Sequence, residues 1–176
     1  IEIEERNKND ARAPEVESEH FIVKTNLGRE KGWWFCQLLE EYYHSFFRVF
    51  LGFFDQKRGD KLIFNVLTPK KKHLVHLYPS RERYLTFVKS EEGNDELLVR
   101  SAGFYSSAIQ SSHFYWNERD VQDTLSTLYH EITHQLFAEI KPGYGGSQGN
   151  NWVVEGIASY CETWVNRDGE WQVGEN

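Results

Sequence analysis

The run His130-Glu131-Ile132-Thr133-His134 has the residue types and the spacing of a metal site. On a helix, side chains four apart stand one above the other, with about 5–6 Å between Cβ atoms. Two imidazoles so placed can hold one ion, with the Glu131 carboxylate beside them. The chemistry that suits this set is zinc-assisted hydrolysis: nitrogen ligands bind Zn2+, the ion lowers the pKa of water, and the carboxylate accepts the proton. Two histidines do not complete a zinc site. An H-E-x-x-H string arises by chance in a chain of this composition on the order of three times in a hundred. A third ligand is available in Asn151-Trp152-Val153-Val154-Glu155-Gly156, where Glu155 stands in a second apolar, helical phrase.

Two helices must position these residues. Asp120, with Asp123 behind it, has the acceptor side chain of an N-cap, and the helix it opens should run to about Phe137. At 100° per residue, His134 lies about 40° from His130, whereas Val121, Leu125, Leu128, Ile132 and Leu136 cluster about 160–240° away. A histidine that merely packs in a core should lie on the apolar stripe, and these two lie opposite it. On the second helix, Ser159 and Glu162 fall within about 40° of Glu155, while Val154, Ile157, Cys161, Trp164 and Val165 group about 180–280° away. Each helix therefore turns its candidate ligands away from its packing face.

The rest of the chain supplies a scaffold. Residues 1–19 are acidic and polar, without an apolar period, and are expected to form a flexible lead-in. Structure is expected from His20, with a strand over His20–Thr25. The aromatic-rich segment Gly32–Phe54 has a helical period and a wide apolar face that mark it as core. Beyond a charged turn, Asp55–Asp60, the runs Lys61–Leu67 and Leu74–Tyr78 read as strands, the first with a helical start as its alternative. Ser80 is placed to cap a short helix through Val88. After a turn at Gly93-Asn94-Asp95, Leu97–Tyr105 and Ser111–Trp116 have strand character. In a strand, His73 and His76 point to opposite faces and form no metal pair. The pattern predicts an α+β fold: one twisted mixed sheet backed by helices, in a single domain over 20–176. Its sheet-bearing part spans about 20–119 and its ligand helices about 120–165.

Composition narrows the classes. The 176 residues, 39% hydrophobic and 15% aromatic, suffice for one domain with a substantial core. A net charge of -7 disfavours nucleic acid as a partner, which needs a basic surface; Lys70-Lys71-Lys72 reads as a solvated turn. No apolar run reaches the length of a membrane span. The absence of methionine and the start at Ile1 suggest a piece of a longer protein. Cys36 and Cys161 are too few for a disulfide framework and read as buried thiols, with one bridge as the alternative.

The ligand motifs together resemble the gluzincin metallopeptidases. His130-Glu131-x-x-His134 is followed 21 residues later by Glu155, within Trp152-x-x-Glu155-Gly156-x-Ala158-x-Tyr160. The wider pattern is similar to an uncharacterised bacterial family of peptidase-MA-like domains. It includes a strand like His20–Asn26, a long aromatic helix, Tyr78-Pro79 before a short helix, Gly103-Phe104-Tyr105 and His134-Gln135-Leu136, over roughly residues 18–165. The resemblance implies a zincin-like fold and one Zn2+ per chain held by His130, His134 and Glu155, with Glu131 as general base. It also implies a peptide or protein substrate, and it favours a secreted or cell-envelope location. In such enzymes substrate lies along an edge strand before the active-site helix; the matching segment is Ser111–Trp116, so Ser111, His113 and Tyr115 become candidate substrate-binding residues. The oxyanion-stabilising group is open among Tyr144, Tyr160, His113 and Tyr115.

Two features depart from the pattern or leave it undetermined. Many gluzincins carry an acid four residues after the third ligand, to orient the first histidine; here that position is Ser159, a weaker partner. The loop 141–150, rich in glycine and containing Tyr144, reads either as a cleft wall or lid or as a plain connector. Rival readings are a catalytically inactive zinc-binding or protein-recognition module, and a zinc hydrolase acting on a non-peptide amide.

Overall fold

A computed structural model of the chain describes residues 13–54, 71–91, 100–140, 151–167 and 170–173. In chain order these form β1 (Glu15–Glu17), β2 (Phe21–Thr25), α1 (Arg29–Phe54), β3 (His73–Tyr78), α2 (Arg81–Glu91), β4 (Gly103–Ser106), β5 (Ser111–Tyr115), α3 (Val121–Ile140), α4 (Asn151–Glu162), β6 (Trp164–Arg167) and β7 (Glu170–Val173). The protein is α+β. A five-stranded mixed sheet runs in the order β1-β2-β3-β5-β4, and β6 and β7 form a separate hairpin. The three central strands are parallel; β1 and β4 close the two edges antiparallel to their neighbours.

Side-chain alternation along the strands gives the sheet two faces with different duties. On one face Phe21, Val23, Val75, Leu77 and Phe114 enter a core shared with α1, α3 and α4. At its centre the Tyr42 ring of α1 stacks on Tyr129 of α3 at 4.8 Å. The Tyr42 hydroxyl meets the Thr133 hydroxyl at 2.6 Å and donates to the Tyr129 carbonyl at 3.2 Å. Trp164 and Trp171 of the hairpin pack edge-on against Tyr42, so the chain beyond α4 joins the same core. Both cysteines are buried and free.

The other face carries α2, capped by the Ser80 hydroxyl, which accepts from the Arg83 N–H at 3.4 Å. Here His113 is fully buried. Its ring lies nearly parallel to those of Phe87 at 4.3 Å, His76 at 4.7 Å and Phe104 at 5.0 Å. Burial pushes His113 down to about 2, and burial with the Lys24 charge pushes His76 down to about 4. Both values lie below that of a free histidine, so the unfolded chain takes up these protons first. The stability they secure is complete above pH ~6.5 and is lost as pH falls, toward about 4 for His76 and about 2 for His113, at roughly 1.4 kcal/mol per pH unit per group. Denaturant unfolding at pH 6.5 and pH 5 should show this loss, and His113→Gln should lower the slope by one proton; an unchanged slope in the variant contradicts the assignment.

Several expectations are corrected. Structure begins before His20: within the expected flexible lead-in, Glu15–Glu17 pairs with β2, and Val16 is 5% exposed. The helix predicted from Gly32 begins at Arg29, and the one predicted to end near Phe137 continues to Ile140. Of the strand expected over Leu97–Tyr105, residues 97–99 lie outside the described residues, residue 100 is helical and the strand runs over Gly103–Ser106. Ser111–Tyr115 is an interior strand, hydrogen-bonded on both sides, and the edge is β4. Asp55–Asp60, Lys61–Leu67 and Gly93-Asn94-Asp95 lie outside the described residues.

Candidate metal centre

Asp120 caps α3 as its side chain predicts: its Oδ1 accepts the Asp123 N–H at 3.0 Å. From that start Leu128, Ile132 and Leu136 are fully buried in the core, which fixes the rotation of the helix and turns His130 and His134 outward. α4 is oriented in the same way by Val154, Ile157, Ala158 and Cys161, and the Ser126 hydroxyl of α3 ties its end by donating to the Glu162 carbonyl at 3.1 Å. The faces turned away from the core thus meet across the α3–α4 contact.

The result is a triangle of donor atoms. His130 Nε2 and His134 Nε2 are 3.0 Å apart, and Glu155 Oε2 lies 3.6 Å from the first and 3.4 Å from the second. A tetrahedral zinc ion about 2.0–2.2 Å from each ligand separates its ligands by about 3.3–3.5 Å, and the triangle straddles that spacing. Burial holds His134 below the ordinary histidine range, with the Glu155 charge opposing it. A neutral imidazole is the form that ligates.

Glu131 lies on the same helix, half-buried between α3 and β4. Its Oε2 accepts the Tyr105 N–H of the edge strand at 2.9 Å. Burial pushes its carboxyl up to about 7; the charges of Glu155 and Glu162 add to this, and His130 and the Tyr105 N–H oppose it. A carboxyl with balanced protonation near neutrality suits a general base.

Glu162 was missed as a functional residue. Its Oε1 meets His130 Nδ1 at 2.5 Å, on the side of the ring away from the triangle. A carboxylate there favours the tautomer with the proton on Nδ1, which leaves the Nε2 lone pair facing the triangle. The contact to His130 expected from Ser159 comes instead from Glu162, three positions further along α4. Glu162 shares the Glu155 side of the helical wheel, so the signal was present in the sequence. Tyr105 was also missed; its part is played by a backbone N–H, which residue type cannot reveal.

The structure brings His130, His134, Glu155 and Glu131 together and leaves the candidate substrate residues elsewhere. β5 alternates so that Ser112 faces α3, where its hydroxyl meets Gln135 Oε1 at 2.8 Å, whereas Ser111, His113 and Tyr115 belong to the α2 face. Ser111 and His113 are bonded to each other at 2.8 Å, and Tyr115 packs on Tyr84 at 5.6 Å. Tyr160 is exposed on the packing side of α4, edge-on to Phe50 and Trp164. None of these four touches the triangle, and Tyr144 lies outside the described residues with the rest of 141–150. No protein-family model and no curated protein matches the chain.

Proposed function

We propose that this protein is a zinc-dependent hydrolase of the gluzincin type that cleaves peptide bonds, with one ion held by His130, His134 and Glu155. The observation that carries this reading is the convergence of three donor atoms at zinc spacing, with Glu131 beside them. A zinc ion there supplies Lewis-acid polarisation of the scissile carbonyl and lowers the pKa of water. Three protein ligands leave a position open for water or substrate.

The protein's own groups divide the remaining work. Glu131 takes the proton from the attacking water and delivers it to the leaving amine. The Tyr105 N–H holds Oε2, which keeps the carboxylate oriented. Glu162 fixes the His130 ring. β4 is the sheet edge next to Glu131, so an extended substrate is placed beside Gly103–Ser106 instead of Ser111–Trp116; the N–H groups of Gly103 and Tyr105 are already bonded to Ser101 Oγ and Glu131. The fold fits a zincin-like architecture in having the sheet edge above the active-site helix. The rival reading as an inactive module draws on Ser159 and on the unassigned oxyanion donor; the Glu162–His130 contact speaks against the first ground.

The test is zinc content after purification without added metal, together with cleavage of a mixed peptide library before and after chelation and zinc restoration. One ion per triangle and zinc-restored cleavage are expected; full zinc with no cleavage of any peptide favours the binding module or a non-peptide amide substrate. Glu162→Gln keeps size and loses the charge on His130 Nδ1, so zinc affinity or turnover should fall by about 10–100-fold. Ser159→Ala should change neither. Chelator competition reads both variants, and wild-type affinity and turnover in Glu162→Gln would return His130 to an unassisted role.

A further inference from the structure

The only other group of three metal-ligating side chains found among the described residues is His20, Glu40 and His44, one donor atom from each lying within 4.8 Å of the others. It sits at the start of β2 against α1, on residues that the proposed hydrolase does not use. Glu40 and His44 are four apart and share one face of α1. His20 is almost wholly buried beside them, stacked on Tyr43 at 4.0 Å. Glu40 grips it twice: Oε1 accepts the His20 backbone N–H at 2.7 Å, and Oε2 meets ring Nδ1 at 2.6 Å.

Two further observations accompany the three-donor grouping. First, His20 Nε2 is buried with no hydrogen-bond partner among the described residues, a costly state for a polar atom. With Nδ1 turned to Glu40, Nε2 is the ring nitrogen left for an ion, and Glu40 joins that ion only by giving up its bond to Nδ1. Second, the His20 and His44 rings stand edge to face with centroids 5.6 Å apart. Two imidazoles bound to one ion at about 2.0–2.1 Å place their ring centres about 5 Å apart. The His73–Glu139 pair, at 2.7 Å, serves as an internal comparison. It too has a buried imidazole on a carboxylate with Nε2 unpartnered, but no third donor joins it among the described residues, and it reads as a clamp alone.

We propose that His20, Glu40 and His44 form a second divalent-metal site, selective for ions that favour imidazole, such as Zn2+, Co2+ or Ni2+, and open to solvent through exposed His44. The donor set of two imidazoles and one carboxylate is that of zinc rather than of calcium or magnesium. Its position between β2 and α1 gives the ion a structural role, cross-linking the sheet to the long helix. His20 is held by packing, so binding requires Glu40 to leave its bond with Nδ1 and His44 to turn toward the ion.

The test is equilibrium dialysis of metal-stripped protein against Zn2+, with zinc counted per chain. Wild type should hold two ions, and His44→Ala, which leaves the buried His20–Glu40 pair intact, should hold one. Glu155→Ala should also hold one, and the double variant none. Co2+ absorption should change in His44→Ala as well, since one imidazole leaves the coordination sphere. A His44→Ala protein that binds as much zinc as wild type overturns the second site, as does a wild type whose only ion is lost with Glu155. If instead only the Glu155 substitution has no effect, the second site stands and the hydrolytic site fails.

Discussion

Glu131→Gln is expected to keep its zinc ion and lose roughly 10²–10⁴ of peptide-cleaving rate, the range for removing a general base. The substitution is nearly isosteric, and a glutamine carbonyl can still accept the Tyr105 N–H that Glu131 Oε2 accepts at 2.9 Å. The amide nitrogen then faces the metal triangle and cannot take a proton. Glu131 is not among the three converging donors, so zinc content should stay at the wild-type level. The measurement pairs zinc analysis with kcat and KM on any cleaved peptide, and the loss should fall on kcat. Equal turnover in the two proteins would remove Glu131 from the mechanism, whereas loss of zinc would make it a ligand.

How much of this site was legible in the sequence depends on how local each signal is. His130, His134 and Glu155 were legible because helical periodicity fixes which residues share a face, and Leu128, Ile132 and Val154 fix which face is buried. Glu162 lay on the same face, but which of Ser159 and Glu162 meets His130 depends on how α4 crosses α3. At 1.5 Å per residue, the two differ by about 4.5 Å along the axis. Periodicity carries no information on a crossing angle. The side groups of the site therefore became visible only with the tertiary contact in hand.

The sheet shows the same division. Strand existence was legible for β2, β3 and β5 from β-branched and aromatic content, but strand order was not, since pairing is non-local. Ser111–Tyr115 was placed at an edge, yet four of its five residues are buried, as an interior strand requires. β1 escaped notice because a single apolar residue, Val16, stands among acids. It packs so closely on α1 that a Cβ at Gly32 would come within 2.8 Å of its Cγ2. The edge role then falls to β4, where Gly103 lies beneath Phe114 with no room for a side chain, and Tyr105 is presented to α3. That placement brings the sheet edge to Glu131, which no single segment could announce.

Removal of the third ligand tests the geometry most directly. Glu155→Ala is expected to lose the hydrolytic zinc ion and all zinc-dependent cleavage, an effect larger than the 10–100-fold expected for the outer carboxylate Glu162. The reason lies in the ligand count: the two imidazoles alone form a two-point site, and the remaining coordination would pass to water. Glu155 is about half exposed and contributes no core contact, so the apo protein should unfold at the wild-type denaturant midpoint. Zinc should separate the two proteins. An ion that binds only the folded state stabilises it by about 2.7 kcal/mol at a hundred times its Kd, and Glu155→Ala should forfeit the share due to this triangle. The His130–His134 contact of 3.0 Å admits one other account, a plain hydrogen bond between a protonated and an unprotonated ring. Under that account Glu155→Ala would leave zinc content unchanged and shift only the histidine titration, an outcome that metal analysis and NMR of the imidazole nitrogens would tell apart from ligand loss.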